Sequence, residues 1–237
     1  MSEMRIHAAL DYNLTMEDAY RIVDATLKDV EVFEVGTPFL HDHYGLHCVR
    51  AMRANYPGIY LYVDTKIGRS SATGGESFVN INGNAYDVAA QAFEAGGDIV
   101  TVLAYSDDKM IEDVVLAAKR YGGEVLADLM EIDDVATRAK QLEELGVDYV
   151  SANKVYVNRP VEEGPFVYQP LVDLAAITPV LKKARTSIQG GVTLENIRDI
   201  AVYRPSLICI GRGIYAAEDP RAAAAEFRAI LDEIELG

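Results

Sequence analysis

Along the chain, short runs of apolar and β-branched residues alternate with longer stretches whose apolar positions recur at helical spacing. The runs over 5–11, 30–36 and 59–66 predict three strands, and 98–104, 123–130, 149–155, 186–192 and 207–210 predict five more. They are too apolar for a sheet with one wet face, which suits parallel strands covered by helices. Helices are predicted over 15–28, from Asn84 and Asp87 to about Ala95, and from Ser106, Asp107 and Asp108 onward. Others are predicted over 133–145, over 171–184 with Pro179 inside, after Thr193, and from Asp219 and Pro220 toward the end. Thr15 followed by Asp18 has the spacing of a capping box, and Asp219-Pro220 suits N-cap and N1.

Eight strands alternating with about eight helices read as consecutive βαβ units, and residues 1–237 as a single (β/α)8 TIM barrel. An open doubly wound sheet is the rival. A dinucleotide-binding sheet carries a Gly-rich loop after its first strand, where this chain has Asp11-Tyr12-Asn13. Two stretches break the rhythm: an inserted loop at about 67–83, rich in Gly, Ser, Thr and Asn, and the segment 158–169. Both fall at the carboxyl ends of strands, where barrels do chemistry, and read as binding loops or as tolerated surface insertions.

Composition changes the picture little. Half the residues are apolar, enough for a large core. A net charge of -15 disfavours nucleic acid and anionic membranes as partners. It leaves a phosphate ligand open, because local amides hold such a group. Cys48 and Cys209 match no zinc or redox spacing. The polar start lacks an apolar targeting core, and no apolar run reaches the roughly 18 residues of a membrane span, so a soluble cytoplasmic protein is expected.

In a barrel, polar residues at carboxyl strand ends read as functional. In order these are Asp11, Glu34, Asp64 with Lys66, Asp128, Asn153 with Lys154, Gln189 with Gly190 and Gly191, and Gly211-Arg212-Gly213. So many carboxylates converging on one mouth need a cation or protons. Hard oxygen ligands suit Mg2+, with Glu34 and Asp64 as leading ligands. A helix cap or a salt bridge to Lys66 is the plainer alternative. Gly190-Gly191 and Gly211-x-Gly213 follow the last two strands, where barrels bind phosphate on backbone amides, and Arg212 adds a charge-assisted contact. Ordinary turns are the alternative there. His41, His43 and His47 include an H-x-H spacing, read as plain polar residues rather than a metal site. His7, inside the first strand, reads as structural.

The runs Ala9-Leu10-Asp11, Glu34-Val35-Gly36-Thr37-Pro38, Asp64-Thr65-Lys66, Glu94 to Val102, Gly190-Gly191-Val192 and Gly211-Arg212-Gly213-Ile214-Tyr215 occur in that order. Together they resemble the orotidine monophosphate decarboxylase suprafamily, and within it the 3-hexulose-6-phosphate synthase branch, with 3-keto-L-gulonate-6-phosphate decarboxylase beside it. The resemblance implies a homodimeric barrel that uses Mg2+ and a sugar phosphate, and a lyase reaction through a metal-stabilised enediolate. The synthase adds formaldehyde to ribulose 5-phosphate; the decarboxylase loses carbon dioxide. It further implies that Glu34 and Asp64 hold the metal and Asp11 contacts substrate hydroxyls. Lys66 would act beside the enediolate oxygen, and Gly191, Gly211 and Arg212 would hold the phosphate. Asp128, Tyr156 and Tyr215 stand where the decarboxylase has Glu, Arg and Arg, which leans toward the synthase.

Two positions depart from the family pattern. Its Asp-x-Lys-x-x-Asp run places a second Asp where this chain has Arg69, or Gly83 when counted back from Glu94. Its histidine after the sixth strand falls at Asn153, which cannot exchange a proton near neutral pH. The surviving carboxylates, lysine and glycine turns favour a repurposed site over a decayed one. A non-catalytic sugar-phosphate-binding homologue is the third reading.

Overall fold

A computed structural model describes residues 4–11, 14–43, 45–68, 85–153 and 168–236. In chain order the elements are β1 (Arg5–Leu10), α1 (Met16–Thr26), β2 (Val32–Val35), α2 (Thr37–Asp42), α3 (Leu46–Asn55), β3 (Tyr60–Ile67), α4 (Ala85–Glu94), β4 (Ile99–Leu103) and α5 (Asp108–Tyr121). They continue as β5 (Glu124–Asp128), α6 (Val135–Leu145), β6 (Tyr149–Ala152), α7 (Gln169–Ile177), β7 (Arg185–Ile188), α8 (Ile197–Ala201), β8 (Leu207–Ile210), α9 (Arg212–Tyr215) and α10 (Pro220–Leu236). All eight strands pair in parallel, and β8 closes on β1, so the sheet is a closed barrel with no free edge.

The local chemistry accounts for these elements. Thr15 accepts from the Asp18 amide while Asp18 returns a bond to the Thr15 amide, completing the capping box of α1. Asp219 accepts from the amides of Arg221 and Ala222 to start α10. Among the described residues no helix is long and apolar enough to cross a membrane.

The elements differ from the sequence expectation in several places, beginning with α2, α3 and α9, for which no helix is predicted. The helix expected over 171–184 stops at Ile177, because Pro179 offers no amide to continue it. Its remainder turns, and Glu143 Oε1 accepts the amides of Lys182, Lys183 and Ala184 instead. The connection after β7 starts α8 at Ile197, several residues after Thr193. β7 ends at Ile188, since Gly190 and Gly191 both take φ of 80°. The inserted loop at about 67–83 and most of the 158–169 segment lie outside the described residues.

Side chains inside the barrel follow the two-residue strand period. One apolar cluster is Val32, Tyr62, Ile99, Leu126, Tyr149 and Leu207. Two residues further along each strand, on the same inward face, stand Glu34, Asp64, Thr101, Asp128, Ser151 and Cys209, all buried. The interior therefore changes from apolar to polar in one step toward the carboxyl ends. At the opposite end Arg5 donates to Tyr149, and Arg185 and Tyr60 donate to Glu124, a polar plug that reads as stability.

Candidate active site

The carboxyl ends bring Asp11, Glu34, Asp64, Lys66, Asp128 and Asn153 to one mouth. Lys66 sits at its centre. Its Nζ donates to Asp128 Oδ2 at 2.6 Å and stands 3.2 Å from Asp64 Oδ1. Burial opposes its charge, yet Asp128 and Asp64 outweigh that and hold its pKa well above the ordinary lysine value. Its backbone is left-handed, with φ of 45°, and the β3–β4 register shifts between Val63 and Ile67. Lysine has no liking for that conformation, so the barrel holds strain where the side chain is re-aimed. Asp128 is itself fixed: Asn153 Nδ2 donates to it at 2.7 Å and the Met130 amide at 3.0 Å.

Asp64 is positioned by Thr37, whose hydroxyl donates to the Asp64 carbonyl at 2.7 Å and reaches Oδ2 at 3.0 Å. Asp64 Oδ1 is buried, and among the described residues no hydrogen bond reaches it. Glu34 is buried beside it, and burial together with the Asp64 charge pushes its pKa well above the usual range. The Lys66 ammonium at 3.2 Å is shared with Asp128, so Asp64 together with a Glu34 carboxyl that resists ionisation is a donor set short of a further cation. These residues therefore fit Mg2+, which takes a few carboxylate oxygens and keeps its waters.

Asp11 is pushed up to about 7 by burial, then by the charges of Glu34 and Asp64. A raised carboxyl favours the fold when protonated. Stability is therefore lost as pH climbs from 3.8 to about 7 and is flat in this term above it. We expect thermal melting in chelator to show that loss, and Asp11→Asn to remove its Asp11 share. Gly36 leaves Asp11 its space: a Cβ there would stand 2.1 Å from Asp11 Oδ1 and 2.9 Å from the Leu10 carbonyl oxygen. Gly36→Ala should move Asp11 by an ångström-scale step and lower kcat/KM about 100-fold, with far-ultraviolet circular dichroism unchanged.

The glycine turns are built for close approach. Gly190 and Gly191 both need positive φ. Tyr168 donates to the Gly190 carbonyl at 2.9 Å, and Asn196 to the Gly191 carbonyl at 2.9 Å. A Cβ at Gly211 would stand 3.9 Å from Asp11 Oδ2, so the β8 turn borders the carboxylates. Arg212 is exposed just after it.

Three residues beside the carboxylates were given no site role from the sequence. His7 Nε2, in a residue read from the sequence as structural, lies 2.8 Å from Glu34 Oε2. Burial lowers its pKa to about 3, so the ring is neutral. Cys209 Sγ lies 3.6 Å from the same oxygen. Tyr62 meets His7 edge-on at 4.7 Å and accepts from Thr101. His7 is an even number of residues before Asp11, and Cys209 before Gly211, and the strand registers put both on the inward face beside Glu34. The loop histidines stay apart from it, His43 bonding the Leu14 carbonyl at 2.7 Å and His41 lying exposed beside Asp42. Lys154, Arg69, Gly83 and Tyr156 lie outside the described residues.

The sequence profile of the Orotidine 5'-phosphate decarboxylase / HUMPS family matches residues 4–227. The chain belongs to that family. Within the family it is 31% identical to 3-hexulose-6-phosphate synthase 2 of Staphylococcus saprophyticus, over 97% of this chain and 98% of that protein. A solved 3-hexulose-6-phosphate synthase from Salmonella typhimurium superposes with a TM-score of 0.82 at 29% identity, over 97% and 99% of the two chains. A 3-keto-L-gulonate-6-phosphate decarboxylase from Vibrio cholerae shares the fold, with a TM-score of 0.78 at 22% identity and 98% of each chain covered. The (β/α)8 barrel read from the sequence is thus the family's fold.

Proposed function

We propose that the chain is a lyase of the 3-hexulose-6-phosphate synthase type, adding formaldehyde to ribulose 5-phosphate. One observation carries this reading: Lys66, clamped between Asp64 and Asp128, stands at the mouth that also presents the two glycine turns. The synthase relatives of similar length support it.

Glu34 and Asp64 would hold Mg2+, which when bound supplies positive charge for the sugar's reacting oxygens. The protein's own residues do the rest. Backbone amides at Gly191 and Gly211, with Arg212, seat the phosphate and set the distance to the carbonyl end. Asn153 keeps Asp128 in place and borders the substrate. Asp11, whose carboxyl titrates near 7, binds the sugar hydroxyls and takes the C1 proton. Lys66 keeps its proton and donates hydrogen bonds to the oxygen that gains negative charge. The C1 electron pair then attacks the formaldehyde carbon, and the formaldehyde oxygen takes up a proton.

Incubation with ribulose 5-phosphate, formaldehyde and Mg2+ should consume formaldehyde. In deuterium oxide, without formaldehyde, label should enter C1. Carbon dioxide release from 3-keto-L-gulonate 6-phosphate would transfer the assignment to the carboxy-lyase. Ligand-induced stabilisation with neither reaction would reduce it to a sugar-phosphate binder. Arg212→Ala removes one charge-assisted contact of about 1.5–3 kcal/mol. KM for the sugar phosphate should therefore rise roughly 10- to 100-fold with kcat little changed. The reading extends to a cytoplasmic homodimer, which light scattering tests as twice the 26.0 kDa chain mass.

A further inference from the structure

We infer that His7, Glu34 and Cys209 bind a borderline transition-metal dication, with Zn2+ as the type, at a site that shares Glu34 with the Mg2+ pair and adds nitrogen and sulfur donors to it. The three come from neighbouring strands. His7 of β1 is the register partner of Cys209 of β8, and Glu34 of β2 partners Ala9, the next inward residue after His7. All three are buried, and their ligand atoms lie within 4.8 Å of one another.

The distances suit such an ion. Bonds of roughly 2.0–2.3 Å in a tetrahedron place nitrogen and oxygen about 3.4 Å apart, and sulfur and oxygen about 3.6 Å. Here the separations are 2.8 Å for His7 Nε2 to Glu34 Oε2 and 3.6 Å for Cys209 Sγ to the same oxygen. A shift of about half an ångström in the imidazole brings the nitrogen–oxygen pair to that separation, and all three ligand atoms already lie within 4.8 Å of one another.

A second observation points to a ligand. His7 is 0% exposed, yet among the described residues neither ring nitrogen has a hydrogen-bond partner. The Glu34 oxygen is near enough for a bond with Nε2 but lies outside its direction. A buried, unsatisfied nitrogen is costly, and a cation bound by both His7 and Glu34 would satisfy it. A mixed nitrogen, oxygen and sulfur set selects Zn2+ or Co2+ over Mg2+, which prefers oxygen alone. Three protein ligands also leave one position open, as in catalytic rather than structural zinc sites. This inference rests on Glu34 facing into the barrel and not on the lyase reading.

The full chain, freed of metal with chelator, is titrated with Co2+ in the absence of substrate. The expected result is one Co2+ per chain with a thiolate-to-cobalt charge-transfer band, displaced by Zn2+ and not by excess Mg2+. Cys209→Ser should abolish the band and Cys48→Ser preserve it. His7→Gln should weaken Zn2+ binding by more than the roughly 10- to 100-fold typical of losing an outer partner. Zinc X-ray absorption on the unaltered chain should show one sulfur at roughly 2.3 Å among lighter neighbours, whether or not the variants fold. No bound Co2+, a zinc shell without sulfur, or a band that survives Cys209→Ser would overturn the inference. Because formaldehyde addition is not the readout, failure of the lyase reading leaves these results standing. An active Mg2+-dependent lyase with a sulfur-free zinc shell would retire this inference alone.

Discussion

Lys66→Ala should lower kcat/KM for formaldehyde addition by roughly a hundred- to a thousandfold, the scale of losing a preorganised donor to developing negative charge. It should also weaken the fold. Lys66 Nζ is 2.6 Å from Asp128 Oδ2, and the Asp128 side chain is wholly buried. Removing one partner of a buried pair leaves the other uncompensated, at a cost of about 3–5 kcal/mol. Urea unfolding should register that loss, reduced by whatever relief comes from releasing the left-handed backbone at position 66. The two effects separate in a double variant. Lys66→Met combined with Asp128→Asn removes both charges, so most of the stability should return while activity stays lost. Recovery of activity in that variant would mean that Lys66 acts only by balancing Asp128. Normal stability in Lys66→Ala would mean that the pair is solvated in a way its burial contradicts.

Much of this site was legible because a parallel strand covered on both faces has few reasons to carry a charge. Asp11, Glu34, Asp64 and Asp128 each end an apolar run, and each stands at the mouth. The same argument hid His7 and Cys209. Each is flanked by apolar residues in mid-strand, and a run of sequence does not say how far down the barrel the polar layer reaches. Only the registers, which pair His7 with Cys209 and set Glu34 beside Ala9, show that they occupy that layer. The left-handed backbone of Lys66 was likewise illegible, since lysine carries no signal for positive φ and the bulge in the β3–β4 pairing imposes it. Helix ends were misjudged as well. Beyond Pro179, which stops the helix, the turn is held by Glu143, thirty-nine residues before Lys182, which accepts the amides of residues 182–184.

Asp64→Ala should remove Mg2+-dependent activity by roughly a thousandfold or more, because a metal at the reacting oxygens stabilises charge by several kcal/mol. Its effect on stability should run the other way. The carboxylate raises the pKa of both Glu34 and Asp11 by its charge, so in chelator it is a source of repulsion. Against that stand its contact with Lys66 at 3.2 Å and the Thr37 hydroxyl at 3.0 Å. Lys66 keeps its shorter bond to Asp128, and Thr37 keeps the Asp64 carbonyl, so neither partner is stranded. The variant should therefore melt at or above the temperature of the parent in chelator, and lose the upward shift that Mg2+ gives the parent. A lower melting temperature in chelator would make Asp64 a structural ion-pair partner of Lys66. Retained Mg2+-dependent activity would move the metal away from the Glu34–Asp64 edge of the barrel altogether.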